Sequence, residues 1–288
     1  MSTVDADVVA VIVDFHAGDA LVDCVRSLQD NGVNDIVVVE NGEAGSASRL
    51  LEPLSVRLVE PGMNLGYGRG VNRGAAAATA DKRYLLVSNP DVVVHGGAVE
   101  ALVRYLDEHP MTAVVGPRIV ATDGSIYPSQ RVFPNVWLAG LHALLGPMWP
   151  NNPATRRYRS RRSDGGVDWV SGAFFLIRRD VFEAIGGFDE RYFMFAEDMA
   201  LCWQVGELGY TVSAIDDAVV THIEGLSRAG ASRAMLIAHH RSALRFEWQT
   251  ARGLRRLLAP LASLVLGLRL VSVLASSLRA GDDVEHQR

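Results

Sequence analysis

Tyr84-Leu85-Leu86-Val87-Ser88-Asn89-Pro90-Asp91 decides how this chain is read. Its apolar first half has the character of a strand covered on both faces, as strands of a parallel sheet are. Pro90 has no N–H to give to a sheet ladder, so the strand is expected to end there. Asn89 and Asp91, two apart on extended chain, project to the same side. A carboxylate and an amide at the carboxyl end of a central strand suit a hard divalent cation, which in turn grips a diphosphate. Asn-Pro-Asp is equally good turn chemistry. The stretch therefore takes its meaning from what surrounds it.

Toward the N-terminus, Val8 to Val13 is an uninterrupted apolar run that ends at Asp14-Phe15-His16. Asp19 is expected to cap a helix with Leu21, Val22, Val25 and Leu28 at helical spacing and Gly32 at its end. Ile36 to Val39 is a second buried strand, stopping at Glu40-Asn41-Gly42, and Val56 to Val59 a third. From Asn64 a glycine-rich turn is expected to lead into an alanine-rich helix around Ala75 to Thr79. Beyond the opening stretch come a helix from Gly97 to Glu108 and a strand at Ala113 to Val115. Strand and helix in alternation predict an α/β fold with a parallel sheet and helices on both faces. Ligands bind such sheets beyond the carboxyl ends of the strands. Asp14, Glu40 and the Asn89–Asp91 corner are the candidate ends. No Gly-x-Gly-x-x-Gly follows the first strand, which argues against a dinucleotide-binding enzyme.

The second half changes character. Residues 117–166 hold six prolines and the aromatics Tyr127, Phe133, Trp137, Trp149 and Tyr158, either a substrate groove or lid or a surface excursion. Trp169 to Ile177 reads as regular structure again, and Asp180 is expected to cap a short helix that ends at Gly186-Gly187. Glu197 and Asp198 open another helix, with Met199, Leu201, Cys202, Val205 and Leu208 as its apolar face. Tyr210 to Ile215 and Ala218 to Ile223 read as two strands, the second carrying His222. Carboxylates at a helix start are stabilised by its dipole. They are ordinary helix-start chemistry, or one of them faces a cleft as the general base for a hydroxyl. His222 is either a packed histidine or a nitrogen ligand to the cation.

The 288 residues are 49% hydrophobic and 21% charged with net charge −5, which fits a globular protein and argues against a general nucleic-acid binder. Charge is uneven, with seven arginines between Arg241 and Arg279 against the single acid Glu247. A second run, Arg156, Arg157, Arg159, Arg161 and Arg162, contains no acid. Leu254, Leu257, Leu258, Leu261, Leu264, Val265, Leu268 and Val271 recur at helical spacing beside Arg252, Arg255, Arg256 and Arg269. That predicts a basic amphipathic helix, lying on an anionic bilayer or packed on the core or a partner subunit. The longest apolar run, Leu257 to Leu268, is 12 residues and includes Pro260, short of the roughly 20 that span a bilayer. Met1 to Asp7 lacks the basic start and cleavage site of a signal peptide. Cys24 and Cys202 lack metal-type spacing and are expected to be buried free thiols.

In order, Val-Asp-Phe-His16, Val-Val-Glu40-Asn41-Gly42, Asn64-x-Gly66-Tyr67-Gly68-x-Gly70-x-Asn72-x-Gly74, Asn89-Pro90-Asp91, Trp169-x-Ser171-Gly172-Ala173, Gly187-Phe188-Asp189-Glu190-x-Tyr192-Phe193, Glu197-Asp198-x-x-Leu201-Cys202 and His222 resemble the family-2 inverting glycosyltransferases. The likeness covers residues 8 to 225 and is nearest to the bacterial rhamnosyltransferase branch. It implies a GT-A fold over residues 1–230. A nucleotide-sugar half (about 8–116) and an acceptor half (117–230) would precede a helical segment (231–280) and a frayed tail (281–288). It implies Mg²⁺ or Mn²⁺, with Asp91 as metal ligand in the Asp-x-Asp position and Asn89 where that motif has its first acid. Phe15 and Glu40 fall where the nucleotide is contacted, and Gly66 and Asn72 near the nucleotide and sugar. Trp169 and Gly172 match the sugar and acceptor pocket, and His222 a position used for metal or diphosphate. Asp198 matches the catalytic base, with Glu197 positioning it or the acceptor.

The branch implies transfer of rhamnose from dTDP-rhamnose to a lipid-linked sugar such as N-acetylglucosaminyl-diphospho-polyprenol, in cell-wall assembly. The enzyme would be cytoplasmic, peripheral at the inner face of the plasma membrane, and open to homo-oligomerisation. A galactofuranosyl or mannosyl transferase is the nearest alternative, and a catalytically dead binding module is another. A sugar nucleotidyltransferase would want a glycine-rich triphosphate loop with arginine after the first strand, which Asp14-Phe15-His16-Ala17-Gly18-Asp19 lacks. Gln249-Thr-Ala-Arg252 is followed by Gly253 rather than the tryptophan of processive polysaccharide synthases, which favours single-sugar transfer.

Overall fold

In the computed structural model, the described residues are 3–42, 44–133, 149, 151–153, 156, 167–223 and 233–285. The apolar run after the short helix α1 (Thr3–Asp7) becomes β1 (Val8–Asp14), with all seven residues buried. It can be apolar throughout because a helix layer covers each face. Val8, Ala10 and Ile12 pack with Leu21, Cys24, Val25 and Leu28 of α2 (Asp19–Asp30) and with Leu102 and Leu106 of α5 (Ala98–Glu108). Val9, Val11 and Val13 pack on the other side with Val71 and Ala75 of α4 (Tyr67–Ala77) and with Leu201 and Val205 of α7 (Glu197–Glu207).

The remaining strands are β2 (Ile36–Glu40), β3 (Arg57–Val59), β4 (Tyr84–Ser88), β5 (Val92–Val94), β6 (Thr112–Val120), β7 (Gln130–Arg131), β8 (Trp169–Val170), β9 (Phe174–Arg178) and β10 (Thr211–His222). Eight of them form one sheet in the order β3-β2-β1-β4-β9-β6-β10-β5, and β7 pairs with β8. The core pairs β1–β2, β1–β4, β2–β3 and β6–β10 are parallel. β9 runs antiparallel between β4 and β6, and β5 runs antiparallel along β10. The carboxyl ends of β1, β2, β4, β6 and β10 consequently lie along one rim.

Several expectations need correcting. The regular structure expected from Trp169 to Ile177 is two strands, β8 and β9, with the turn Ser171–Ala173 between them. Tyr210–Ile215 and Ala218–Ile223 form the single strand β10, whose register against β6 slips between Ile215 and Val219. The glycine-rich segment is helical from Tyr67 onward rather than a turn, because its glycines let α4 lie against the sheet. A Cβ on Gly70 would sit 2.9 Å from Val13, and one on Gly74 2.5 Å from Val11 and 2.9 Å from Val39. Asp19 is the first residue of α2 and does not cap it; Gly18 holds the cap position without a side-chain bond. Asp180 likewise lies inside its short helix, α6 (Arg179–Ala184), where Arg178 holds the cap position, and a further short helix, α3, spans Ser48–Leu51. Leu208 is exposed, so the buried side of α7 is Ala200, Leu201, Cys202 and Val205.

The chain divides into two compact units, residues 1–193 with 197–229, and residues 194–196 with 230–288. The second contains α8 (Arg233–Thr250) and α9 (Leu254–Glu285), joined at Gly253, with Pro260 inside α9. Arg255 pairs with Glu247 at 2.8 Å, and the Trp248 indole donates to Ser263 at 3.0 Å, tying the two helices together. The expected helix is present, but Leu254, Leu257, Leu261, Leu264, Leu268 and Val271 are exposed along with Arg256 and Arg269. Burial therefore does not sort it into an apolar and a basic face. It also runs on to Glu285, past Gly281 where a frayed tail was expected. Among the described residues no helix is long and apolar enough to cross a membrane. Trp137, Tyr158 and, of the second arginine run, Arg157, Arg159, Arg161 and Arg162 lie outside the described residues.

Gly74→Ala should destabilise the protein by about 1–2 kcal/mol, since crowding Val11 and Val39 outweighs the gain in helix propensity. Gly96→Ala, whose Cβ meets nothing within 4 Å, should change stability by less than about 0.5 kcal/mol. Urea denaturation of both variants measures the contrast.

Candidate active site

β4 stops at Ser88, and the Asn89 N–H is taken by the Ala173 carbonyl at 2.8 Å. The chain turns through Pro90-Asp91 into β5, which pairs with β10 so that Val92 lies opposite His222. That register sets His222 Nε2 3.1 Å from Asp91 Oδ1 and 3.3 Å from the Asn89 amide. The Ile223 N–H closes the corner on the Asp91 carbonyl at 2.9 Å. Asp91 and His222 are 7% and 9% exposed, and His222 Nδ1 is buried without a hydrogen-bond partner. Below them the Cys24 thiol, pushed up to about 12 by burial, stays neutral and contacts the Asn89 carbonyl at 3.4 Å.

This corner suits a divalent cation. Ligand atoms about 2.1 Å from Mg²⁺, on adjacent octahedral positions, stand about 3 Å apart. The Asp91–His222 and Asn89–His222 separations are close to that spacing once the Asn89 amide is turned oxygen-first, an orientation fixed by hydrogen bonding rather than by shape. Among the described residues no group of three or more His, Cys, Asp or Glu side chains that could hold a metal ion occurs. Two protein ligands and an amide leave positions for water and substrate phosphates, as hard cations prefer.

The second centre is at the start of α7. Asp198 accepts the Gly172 N–H on Oδ2 and its neighbour Met199 N–H on Oδ1, both at 2.8 Å. Burial raises its pKa, while those two donors and the charge of Arg131 pull it back. Glu197 has no such donors on Oε2, which is buried and unpartnered. Burial and the adjacent Asp198 charge push its pKa up to about 8. The two carboxyls therefore differ in support, Asp198 holding two N–H donors that favour its charge and Glu197 having none on Oε2 to offset burial. Tyr67 connects the two centres. Its hydroxyl donates to the Gly172 carbonyl at 2.5 Å, and its pKa is raised by burial and by the charges of Glu197, Asp198 and Asp91 together. Carboxylates more than a hundred positions apart in sequence thus act on one phenol.

A glycosyl transferase family 2 model matches residues 10–186. The chain belongs to that family. An N-acetylglucosaminyl-diphospho-decaprenol L-rhamnosyltransferase of Mycobacterium tuberculosis (strain H37Rv) is 40% identical over 200 residues, 65% of this chain and 65% of its own length. The Escherichia coli K12 rhamnosyltransferase WbbL is 30% identical over 152 residues, 50% of this chain and 56% of its own. The chain thus spans a little under two thirds of these relatives. Among solved structures, mannosyltransferase PcManGT from Pyrobaculum calidifontis, in complex with GDP-Man and Mn²⁺, matches 98% of this chain and 80% of its own at TM-score 0.58 and 15% identity. GalNAc-T7 with UDP, GalNAc and Mn²⁺ matches 85% and 52%, also at TM-score 0.58 and 15% identity. These likenesses are of fold, and the fold is the GT-A type.

In this family 2 chain the remaining expected residues divide into those that face outward and those that hold the frame. Phe15, 43% exposed at the end of β1, stacks edge-on with His16 at 4.6 Å between centroids. His16 sits in the left-handed region (φ 60) directly over Gly42, where a Cβ would come within 2.8 Å of its ring. Glu40 is spent on its own loop, accepting from the Ser46 hydroxyl, the Ala47 N–H and the Gly45 N–H. Burial works against its charge, yet those donors hold its pKa below the ordinary value. Asn72 clasps the Phe188 backbone, donating to its carbonyl at 2.9 Å and accepting its N–H at 2.8 Å, so it fixes the turn after Gly187. Gly66 (φ 81) passes under the Phe193 carbonyl, which a Cβ would meet at 2.2 Å. Trp169 is 7% exposed, its indole donating to Val132 and its ring covered by Arg131.

Sequence reasoning overlooked Asn41, whose amide binds Asn64, Leu65 and Gly66 and ties the glycine-rich loop to β2. It also passed over Tyr67 and His16. All three stand inside motifs already singled out, so the signal was position within the motif.

Glu197 supplies a pH test. Its folded pKa, about 8, lies above its ordinary value of 4.5, so between those values the folded state binds more protons than the unfolded state. Stability should therefore fall as pH rises from about 4.5 to about 8. Glu197→Gln should flatten that slope in denaturation measured at about pH 5 and pH 8. An unchanged slope would assign the effect to another group.

Proposed function

We propose that the protein is an inverting rhamnosyltransferase. It moves L-rhamnose from dTDP-rhamnose to a lipid-linked sugar, N-acetylglucosaminyl-diphospho-polyprenol, in cell-wall polysaccharide assembly. The 40% identity to the mycobacterial relative of that name supports L-rhamnose as the sugar and the diphospho-polyprenol acceptor, while dTDP as the carrying nucleotide follows from the likeness to the rhamnosyltransferase branch. Asp198 takes the proton of the attacking acceptor hydroxyl on its cleft-side carboxylate. Its two N–H donors hold it ionised and fix its direction, and protonated Glu197 beside it adds no competing charge. Attack comes from the face opposite the departing diphosphate, so the configuration at the anomeric carbon inverts. Asp91 and His222, with Asn89 turned oxygen-first, would hold a Mg²⁺ or Mn²⁺, which would supply positive charge for that diphosphate. Phe15, exposed at the end of β1, offers a ring for the nucleotide base to stack on.

The acceptor is membrane-borne, and α9 presents Leu257, Leu261, Leu264 and Leu268 to solvent with exposed arginines among them. Such a helix binds an anionic leaflet by apolar insertion and by charge. The enzyme then works as a peripheral protein at the cytoplasmic face of the plasma membrane.

General-base help is worth roughly 10²–10⁴ in rate, so Asp198→Asn should lower kcat by about that factor while donor affinity holds. Radiolabelled transfer from dTDP-rhamnose, dTDP-glucose, UDP-galactofuranose and GDP-mannose to a synthetic N-acetylglucosaminyl-diphospho-lipid measures this and fixes the donor. Leu261→Glu with Leu264→Glu should cut co-flotation with phosphatidylglycerol vesicles at least tenfold, from the loss of two buried leucines. Equal flotation of variant and wild type, or a wild type that pairs with a second copy instead of floating, would overturn the membrane role.

A further inference from the structure

The reaction scheme leaves Tyr67 without a task, although its hydroxyl is bonded to the peptide that supports Asp198. That hydroxyl donates to the Gly172 carbonyl at 2.5 Å, and the N–H of the same glycine donates to Asp198 Oδ2 at 2.8 Å. Gly172 lies between them closely enough that a Cβ would stand 3.4 Å from Tyr67 Cε1 and 3.3 Å from Asp198 Cβ. A Cβ there would be tight against Asp198 and in ordinary contact with the Tyr67 ring, and a glycine is the residue whose backbone swings most freely. Something must hold it. From these contacts we infer that Tyr67 is the positioning residue of the base, its hydroxyl pinning Gly172 so that the Gly172 N–H stays on Asp198. The inference rests on Asp198 being the base, and gives that base a second point of support outside its own helix.

Tyr67 is well placed to do this. Its own N–H is held by the Phe193 carbonyl at 3.1 Å, and its ring packs edge-on against Phe188 at 6.2 Å. Burial, with the nearby acids adding to it, raises the phenol's pKa well above its ordinary value, so it stays a donor. Asp198 is faced by Glu197 and Cys202 of its own helix, by Tyr67 from α4 and by Arg131 from β7. Of these, only Tyr67 acts through the Gly172 peptide.

Tyr67→Phe removes the hydroxyl and keeps the ring. Hydrogen exchange at the Gly172 amide should quicken about tenfold, the loss expected for one hydrogen bond, while the Leu176 amide within β9 is unchanged. In transfer assays kcat should fall about tenfold with donor KM preserved. The acid limb of its pH profile should move to higher pH, because a carboxylate that loses an N–H donor is harder to ionise. If the variant is less stable, exchange is compared equally far below each protein's Tm. Unchanged Gly172 exchange overturns the inference, as does a loss of activity uniform in pH, which packing alone would cause. If the wild type transfers no sugar from any nucleotide, the rhamnosyltransferase reading fails, and the exchange comparison still decides the role of Tyr67.

Discussion

Three backbone pairs, Val92 with His222, Val93 with Thr221 and Val94 with Val220, hold the site in being. They lock an edge strand of three residues against the end of β10 and bring His222 to Asp91 across 131 positions of chain. A slip of one residue would turn His222 to the other face of the sheet. The buried apolar side chains of the two strands resist that slip, since Val92, Val94 and Val220 all belong to one hydrophobic cluster. The chemistry of the corner is thus underwritten by packing a few ångströms behind it. The orphaned Nδ1 of His222 belongs to the same logic, because a strand register chosen for the core leaves its far side without a partner.

Residues carried over from the family motifs sort by what their hydrogen bonds do. Phe15, Asp91 and Asp198 are placed at the rim, whereas Glu40, Asn72, Asn41 and Gly66 are consumed in holding loops. Glu40 binds three donors of a turn within seven residues of itself, and Asn72 grips a backbone 116 positions away. A buried polar group with its bonds satisfied inside the protein has little left for a ligand. Motif membership therefore marks residues that the site needs, without separating touching from holding.

The strands on which the α/β reading rests were legible because each is apolar on both faces: β1, β2 and β4 are buried at every position. The acid pair at the start of α7 was legible from helix-start chemistry. What escaped was non-local or two-valued. β9 enters between β4 and β6 from far along the chain and runs against both, a pairing that no local pattern encodes. The glycines of α4 carry turn propensity, yet tertiary packing against Val11 and Val13 makes them helical. β5 is only three residues long and follows a proline corner, so its pattern is indistinguishable from the turn before it. At α9 the heptad-like leucines were plain, while the sorting of faces depends on neighbours that spacing alone does not name.

Asp14, Glu40 and Asp91 at the strand ends, with Glu197 and Asp198 at the start of α7, make a poor setting for the diphosphate donor of the proposed reaction. Like charges this close would exclude it unless most were neutralised or compensated. The protein does this by different routes. Burial raises Asp14, helped by the charge of Glu40. The donors of the 45–47 turn absorb the Glu40 charge, and Glu197 retains its proton. Two carboxylates remain for the proposed reaction, Asp198 held by two N–H donors and Asp91 against His222. The first must be anionic to accept a proton. In the proposed reaction the second could coexist with a diphosphate only with positive charge between them, which favours a divalent cation at Asp91 over the equally acidic start of α7.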